Sequence, residues 1–172
     1  FGKNRRTASP APCPRYRLQD GDGGSVESDT LGALLYPLEG DTFALDMVIK
    51  PERYHEFGIA LHVDKELETG YFLRMNPKNQ LVAWDMWPRG EQGRYQWQIK
   101  GDVPYQIETA RKLPKAEEYR VHIIKEKDIC VVYINDEIVL STRMYNHKDG
   151  YAGIYVVQGN VKLIQYKEKR SE

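Results

Sequence analysis

The three tryptophans of the chain lie in one short segment, "LVAWDMWPRGEQGRYQW", among charged side chains. Trp87 is followed by a Pro-Arg-Gly sequence, which predicts a strand end or a loop at this indole. An exposed indole can stack on a sugar ring while Arg89 and Asp85 bind the sugar hydroxyls. The segment therefore predicts a carbohydrate-binding surface, and the alternative is that Trp87 caps the end of a core.

Signals for catalysis are sparse. The sequence has no phosphate-binding glycine loop, no G-x-S-x-G elbow and no H-E-x-x-H metal motif, and its four histidines lack ligand spacing. A glycosidase needs two carboxyl groups about 5–9.5 Å apart in a cleft. Asp46, Asp85 and Glu108 lie within or beside predicted strands, and we expect Asp46 and Asp85 to point outward. No catalytic residue is therefore assigned.

A glycine-rich segment, "QDGDGGSVESD", resembles a calcium loop in part. Asp20, Asp22 and Glu27 offer the oxygen ligands that Ca²⁺ prefers. The carboxylate at position twelve and the flanking helices of an EF-hand are missing. An ordinary turn with no cofactor is therefore expected, and a structural calcium ion is the alternative.

Most of the chain alternates apolar and polar residues, which is typical of half-buried strands. About ten short strands are expected, with Trp84 and Trp97 facing the core and at most one helical turn, in "HVDKELETG". The predicted strands cover 43–49, 57–63, 70–76, 79–86, 94–100, 118–126, 128–134, 137–143, 151–157 and 160–166.

Turn residues separate these strands, and the two-residue Asn135-Asp136 connection is the clearest hairpin. Short strands at regular spacing predict an all-β fold, an antiparallel two-sheet β-sandwich. Residues 1–17, which contain three prolines, are expected to form a linker or lead-in. Residues 18–172 are expected to form one domain.

Composition narrows the possible partners. The chain has 172 residues, and its 25 Lys and Arg balance its 25 Asp and Glu, so neither nucleic acid nor a membrane is expected as a partner. It begins with Phe1 rather than Met, and we expect a mature product or a piece of a longer chain. Cys13 and Cys130 could form one disulfide, but two cysteines do not make a framework.

Several segments together resemble the C-terminal β-sandwich of glycoside hydrolase family 32, the β-fructosidases. The likeness covers roughly residues 30–168 and implies a concanavalin A-like, jelly-roll fold. The catalytic motifs of that family, W-M-N-D-P and an R-D-P triplet, belong to its N-terminal propeller and do not occur here. The segments that carry the likeness are Trp87–Arg89, Asp102–Pro104, Tyr133–Asp136, Leu140–Tyr145 and Gly153–Tyr155.

The resemblance implies a noncatalytic accessory domain of a periplasmic or extracellular glycoside hydrolase that acts on fructans or related glycans. Its partners would be the N-terminal catalytic propeller of the same polypeptide and an oligosaccharide. If the domain binds sugar, Trp87, Arg89 and Asp85 are the first candidates, and Arg143 and Tyr145 follow. Two alternatives stay open, a free-standing lectin-like module and a small sandwich hydrolase of the keto-disaccharide type.

Overall fold

The computed structural model describes residues 23–87, 111–145 and 147–170, together with the backbone of 105–106. These ranges contain ten β-strands and one short 3-10 helix, Pro77–Asn79. The strands are β1 Gly24–Pro37, β2 Thr42–Arg53, β3 Glu56–Val63, β4 Gly70–Asn76, β5 Leu81–Trp87, β6 Tyr105–Gln106, β7 Tyr119–Glu126, β8 Ile129–Ile134, β9 Ile138–Arg143 and β10 Tyr151–Arg170.

All pairings between these strands are antiparallel. The strand order is β6-β5-β4-β3-β10-β2-β7-β8-β9, and β1 also pairs with β10. Because neighbouring strands twist relative to one another, a sheet this wide curls instead of staying flat. Here it folds over into two packed layers.

The long strand β10 belongs to both layers. Its residues 151–157 pair with β3 and its residues 160–170 pair with β2, so β2 and β3 lie end to end along it. The strand turns between these halves at Gln158, which has a φ of 50°. We call the layer of β3, β4, β5 and β6 layer A, and the layer of β2, β7, β8 and β9 layer B.

The main hydrophobic core lies between the two layers. It draws alternate residues from both, including Trp84 of layer A and Val132 of layer B, each fully buried. Aromatic rings also meet across the interface, as in the Tyr36–Tyr166 stack at 4.1 Å between centroids. Each fully buried large apolar side chain contributes about 1.5–3 kcal/mol, so this core is the main source of stability. The predicted core position of Trp84 is confirmed.

A second, smaller cluster covers the opposite face of layer A. Every residue of β3 is buried for this reason, and β4 and β5 are buried along most of their length. The strands of layer B instead alternate between buried and accessible positions. The outer face of layer B is therefore a sheet surface that a ligand can reach.

The structure confirms the two-sheet antiparallel sandwich and corrects some elements. The strands predicted at 151–157 and 160–166 are one strand, β10, and the glycine-rich turn expected up to residue 29 gives way to β1 at Gly24. In "HVDKELETG", where at most one helical turn is expected, the Leu67 amide donates to the Asp64 carbonyl in a single turn, and the Asp64 carboxylate accepts hydrogen bonds from the Glu68 and Thr69 amides. The predicted strand at 94–100, its Trp97 and the lead-in 1–17 lie outside the described residues.

Cys130 is a free thiol in the main core, with no exposed surface. Cys13, the other half of the disulfide considered from the sequence, lies outside the described residues. No helix within the described ranges is long and apolar enough to cross a lipid bilayer.

Candidate functional site

A groove of about 770 Å³ lies on the accessible outer face of layer B. Its volume is within the range of roughly 300–1,000 Å³ that is usual for small-molecule sites. Neighbouring strands position its side chains, because residues opposite each other in an antiparallel sheet point to the same face. The lining residues are Asp46, Met47, Val48, Glu118, Arg120, Val121, His122, Ile124, Tyr133, Asp136, Gln165 and Lys167.

Four of these side chains form one row across the strands. Lys167 of β10 is opposite Asp46 of β2, Asp46 is opposite His122 of β7, and His122 is opposite Tyr133 of β8. Strands are about 4.8 Å apart, so the three steps of this row span roughly 14 Å. We call these four residues the cross-strand row.

The middle of the cross-strand row is fixed by a short polar contact. Nδ1 of His122 lies 2.5 Å from an Asp46 carboxylate oxygen, and the two side chains are 39% and 44% exposed. The His122 ring also lies near the Tyr133 ring, with centroids 6.1 Å apart and planes inclined by 36°. The carboxylate keeps a second oxygen that can accept a hydrogen bond, and the tyrosine adds an apolar ring face.

The β8–β9 turn forms one end of the groove and is tied firmly to β7. Asn135 and Asp136 both have positive φ, 50° and 57°, as the predicted two-residue hairpin requires. The Asn135 side chain accepts a hydrogen bond from the Arg120 amide at 2.7 Å, and the Asn135 amide donates to the Arg120 carbonyl at 2.9 Å. Arg120 and Asp136 are therefore presented from a rigid backbone.

The groove mixes charges of both signs with apolar surface. Arg120 and Lys167 carry positive charge, while the three carboxylates of Asp46, Glu118 and Asp136 carry negative charge. Ile124 is 43% exposed and supplies an apolar patch. A surface of this kind offers hydrogen-bond donors, acceptors and an aromatic face together, which suits a polyhydroxylated ligand.

The indole predicted to stack on a sugar is buried. Trp87 is only 1% exposed, so the prediction of an exposed indole is wrong; it packs in the second cluster on layer A and not at the end of the main core. Arg89 lies outside the described residues. A role for either residue in binding sugar stays a prediction.

Asp85 and Asp46 both point away from the main core, as expected. Asp85 is nevertheless buried: it is 3% exposed and lies 3.2 Å from Nε of Arg74. The guanidinium offsets the cost of burying this carboxylate.

The other two predicted sugar-binding residues lie on the far edge of layer B. Arg143 ends β9 and forms an exposed ion pair with Asp128 at 3.1 Å, and Tyr145 is 58% exposed. Neither Arg143 nor Tyr145 lines the groove.

The proposed calcium ligands do not form a site that can be described. Glu27 lies on β1, exposed and opposite Asn160 of β10, while Asp20 and Asp22 are outside the described residues. Among the residues that are described, no group of three or more His, Cys, Asp or Glu side chains could hold a metal ion.

Two buried carboxylates share the outer face of layer A, but they are not a catalytic pair. Glu56 accepts a hydrogen bond from the Tyr155 hydroxyl at 2.8 Å, and Asp85 faces Arg74. In the strand register, Asp85 lies level with Ala60, and Glu56 is four residues along β3 from that position. Four residues span about 13 Å, which exceeds the separation of roughly 5–9.5 Å between glycosidase carboxyl groups.

The groove itself was missed by sequence reasoning. The alternation of β7 places Arg120, His122 and Ile124 on one face, and that parity is visible in the sequence. The register that sets His122 between Asp46 and Tyr133 is not visible in the sequence, because Asp46 and His122 are 76 residues apart along the chain.

No protein-family model and no curated protein sequence matches the chain. Solved structures do match. The carbohydrate-binding module CBM66 of Bacillus subtilis has a TM-score of 0.68 at 16% identity, over 93% of this chain and 99% of that one. A galectin of Caenorhabditis elegans has a TM-score of 0.56 at 12% identity, over 80% of this chain and 91% of that one.

A larger enzyme contains the same fold as one part. The β-fructofuranosidase of Aspergillus kawachii matches with a TM-score of 0.62 at 12% identity, over 98% of this chain and 28% of the enzyme. This chain thus spans little more than a quarter of that protein. At such identities the likeness shows the fold alone, and the resemblance to the sandwich of β-fructosidases holds at that level.

Proposed function

We propose that this chain is a noncatalytic carbohydrate-binding domain and that the groove on layer B is its binding site. The observation that carries the proposal is the cross-strand row, which sets a cation, a carboxylate, an imidazole and a phenol side by side on an open sheet face. These groups need no movement to meet a ligand, because the β-ladder holds them in register.

The chemistry of the row matches that of a sugar. Each sugar hydroxyl both donates and accepts hydrogen bonds; Asp46 accepts, Lys167 and Arg120 donate, and Gln165 does both. The Tyr133 ring offers an apolar surface for the C–H face of a sugar ring. Because the groove is open, water competes for every polar contact, so we expect moderate affinity built from several contacts.

The finer proposal is that the domain accompanies a glycoside hydrolase acting on fructans or related glycans, outside the cytoplasm. The support is the shared fold with part of a β-fructofuranosidase and with an entire carbohydrate-binding module. The partner would then be the catalytic propeller of the same polypeptide. A free-standing lectin-like module uses the same groove, and it differs in binding glycan at full affinity without any catalytic partner.

The test is binding of the chain to levan and inulin, with xylan and cellulose as comparison polymers, by affinity electrophoresis and titration calorimetry. We expect Tyr133→Ala and Asp46→Ala each to weaken binding about tenfold or more, equivalent to roughly 1.4 kcal/mol. Tyr145→Ala is the matched control, because it removes an exposed tyrosine outside the groove.

Two results would contradict the proposal. If Tyr145→Ala or Arg143→Ala abolishes binding while the groove variants bind normally, the site is at the edge of layer B. If the chain hydrolyses members of a glycoside panel, the domain is an enzyme. A Trp87→Phe variant, checked for folding by circular dichroism, tests the indole singled out from the sequence, and we expect it to bind as the wild type does.

A further inference from the structure

We infer that the groove binds the interior of an uncharged oligosaccharide laid across the strands, and not only a terminal sugar. This inference rests on the proposed function and adds the class and pose of the ligand. The direction follows from the cross-strand row, which crosses β10, β2, β7 and β8 at right angles to the chain direction of each strand.

The shape of the groove favours an extended ligand. A pocket for a terminal sugar surrounds that sugar and excludes water from it. Here the central pair of the row, Asp46 and His122, keeps about two-fifths of its side-chain surface in solvent, and Ile124 beside it is as open. The row also extends over roughly 14 Å, which is long enough to offer contacts to more than one sugar unit.

A second, parallel row supports the same direction. Gln165 of β10 is opposite Val48 of β2, and Val48 is opposite Arg120 of β7. β10, β2 and β7 thus each contribute hydrogen-bonding or apolar groups at two levels, and β8 adds Tyr133 at one of them. A chain of linked sugars following the rows meets new side chains at every strand.

The charges of the groove select against charged polymers. Cations and carboxylates alternate: Lys167 is beside Asp46, and Arg120 lies near Glu118 and Asp136. A sulfated or uronate chain would place its own negative charges close to three carboxylates, which is unfavourable. An uncharged glycan accepts hydrogen bonds from the cations and donates to the carboxylates without that repulsion.

The experiment measures the affinity of the chain for inulin-type and levan-type oligosaccharides from one to six units, with heparin and polygalacturonate as anionic probes. We expect affinity to rise at least tenfold between one and four units and then to level off. We also expect neither anionic polymer to bind at physiological salt.

Variants at the two ends of the row show whether the ligand spans it. Lys167→Ala and Tyr133→Ala should each lower the affinity for long oligosaccharides by a larger factor than the affinity for the shortest oligosaccharide that binds. Lys169→Ala is the matched control, since it removes an exposed lysine two residues along β10 that does not line the groove.

The outcomes separate this inference from the proposed function. Equal affinity for one unit and for six units, with both ends of the row mattering equally, would overturn the cross-strand pose while leaving carbohydrate binding intact. Preferred binding of heparin would overturn the uncharged class. If none of the saccharides binds, the proposed function fails as well.

Discussion

Lowering the pH from 7.5 to 4.5 should destabilise the fold through one buried histidine, His62. Its ring is 3% exposed, and its Nδ1 lies 2.9 Å from the carbonyl oxygen of Asp149. Because a carbonyl can only accept, Nδ1 carries the hydrogen and Nε2 is the atom that would take up a proton. Nε2 is buried with no hydrogen-bond partner among the described residues.

Several groups around the ring decide its pKa. Burial lowers the pKa of His62 from 6.5 to about 4, against the opposing effect of the hydrogen bond to Asp149. Lys125 and His147 lower it further by charge repulsion, and the Asp149 carboxylate raises it. The Phe43 ring lies edge-on at 5.5 Å and offers no acceptor to a new N–H.

The sign and size of the effect follow from proton linkage. In the folded state His62 stays neutral down to about pH 4, whereas in the unfolded state it is protonated below about pH 6.5. The contribution of neutral His62 to the free energy of unfolding is therefore fully present above pH 6.5 and is lost as the pH falls toward 4. At about 1.4 kcal/mol for each tenfold change in proton affinity, the loss between pH 7.5 and 4.5 is about 2 to 3 kcal/mol.

Urea denaturation followed by tryptophan fluorescence measures this loss, since Trp84 and Trp87 are both buried. The matched variant is His62→Asn, because asparagine tolerates the positive φ of 54° at this position. Its free energy of unfolding should fall about 2 to 3 kcal/mol less than that of the wild type over the same pH interval. Parallel curves for the two proteins, or a His62 NMR titration centred near pH 6.5, would refute the reasoning.

Three further predictions concern the sandwich. Gly153→Ala should destabilise the fold by several kcal/mol, because the new Cβ would lie 1.9 Å from the Leu34 carbonyl oxygen. In Gly40→Ala the new Cβ meets nothing within 4 Å, so this variant should cost only about 1 kcal/mol for its positive φ. Thermal melts of the two variants compare these losses of stability. Tyr119→Phe should lower the free energy of unfolding by about 1–3 kcal/mol, because the hydroxyl donates to the Pro114 carbonyl at 2.8 Å and accepts from the Ala116 amide at 2.9 Å. Urea denaturation measures this loss, and an unchanged midpoint would show that these hydrogen bonds are dispensable. Cys130 should react with a thiol reagent only when the protein unfolds, because burial raises the pKa of its thiol to about 12. Labelling of Cys130 at the same rate in native buffer and in urea would contradict this prediction.

The fold could be read from the sequence because most strands keep one face in the core. The alternation of Phe43, Leu45, Met47 and Ile49 predicts β2, and all four residues are buried. The length of β10 could not be read in the same way. Gly159 and Asn160 resemble a turn between two strands, and only the pairing with β2 and β3 together shows that the strand continues.

The candidate site was harder to predict because burial depends on both faces of a strand. The sequence predicts outward-facing positions for Asp85 and Trp87, and both do face away from the main core, but neither is exposed: Trp87 packs in the second cluster on layer A, and Asp85 lies beside Arg74. Lys125 is another residue whose burial is not evident from the sequence. This lysine faces inward and is 1% exposed, and its Nζ donates to the Lys127 carbonyl at 2.6 Å. The alternation within one strand predicts which way a side chain points, but only tertiary packing decides whether that side chain is exposed.

The long strand β10 sets the order in which the molecule can be assembled. Residues 151–170 are made after every strand they join, and the pairing of Gly24 with Leu163 closes a loop of most of the chain. Contacts so distant in sequence slow folding, since the entropy of loop closure is lost before they form. During translation, β1, β2 and β3 therefore keep open edges until their common neighbour β10 is made, and open strand edges favour aggregation.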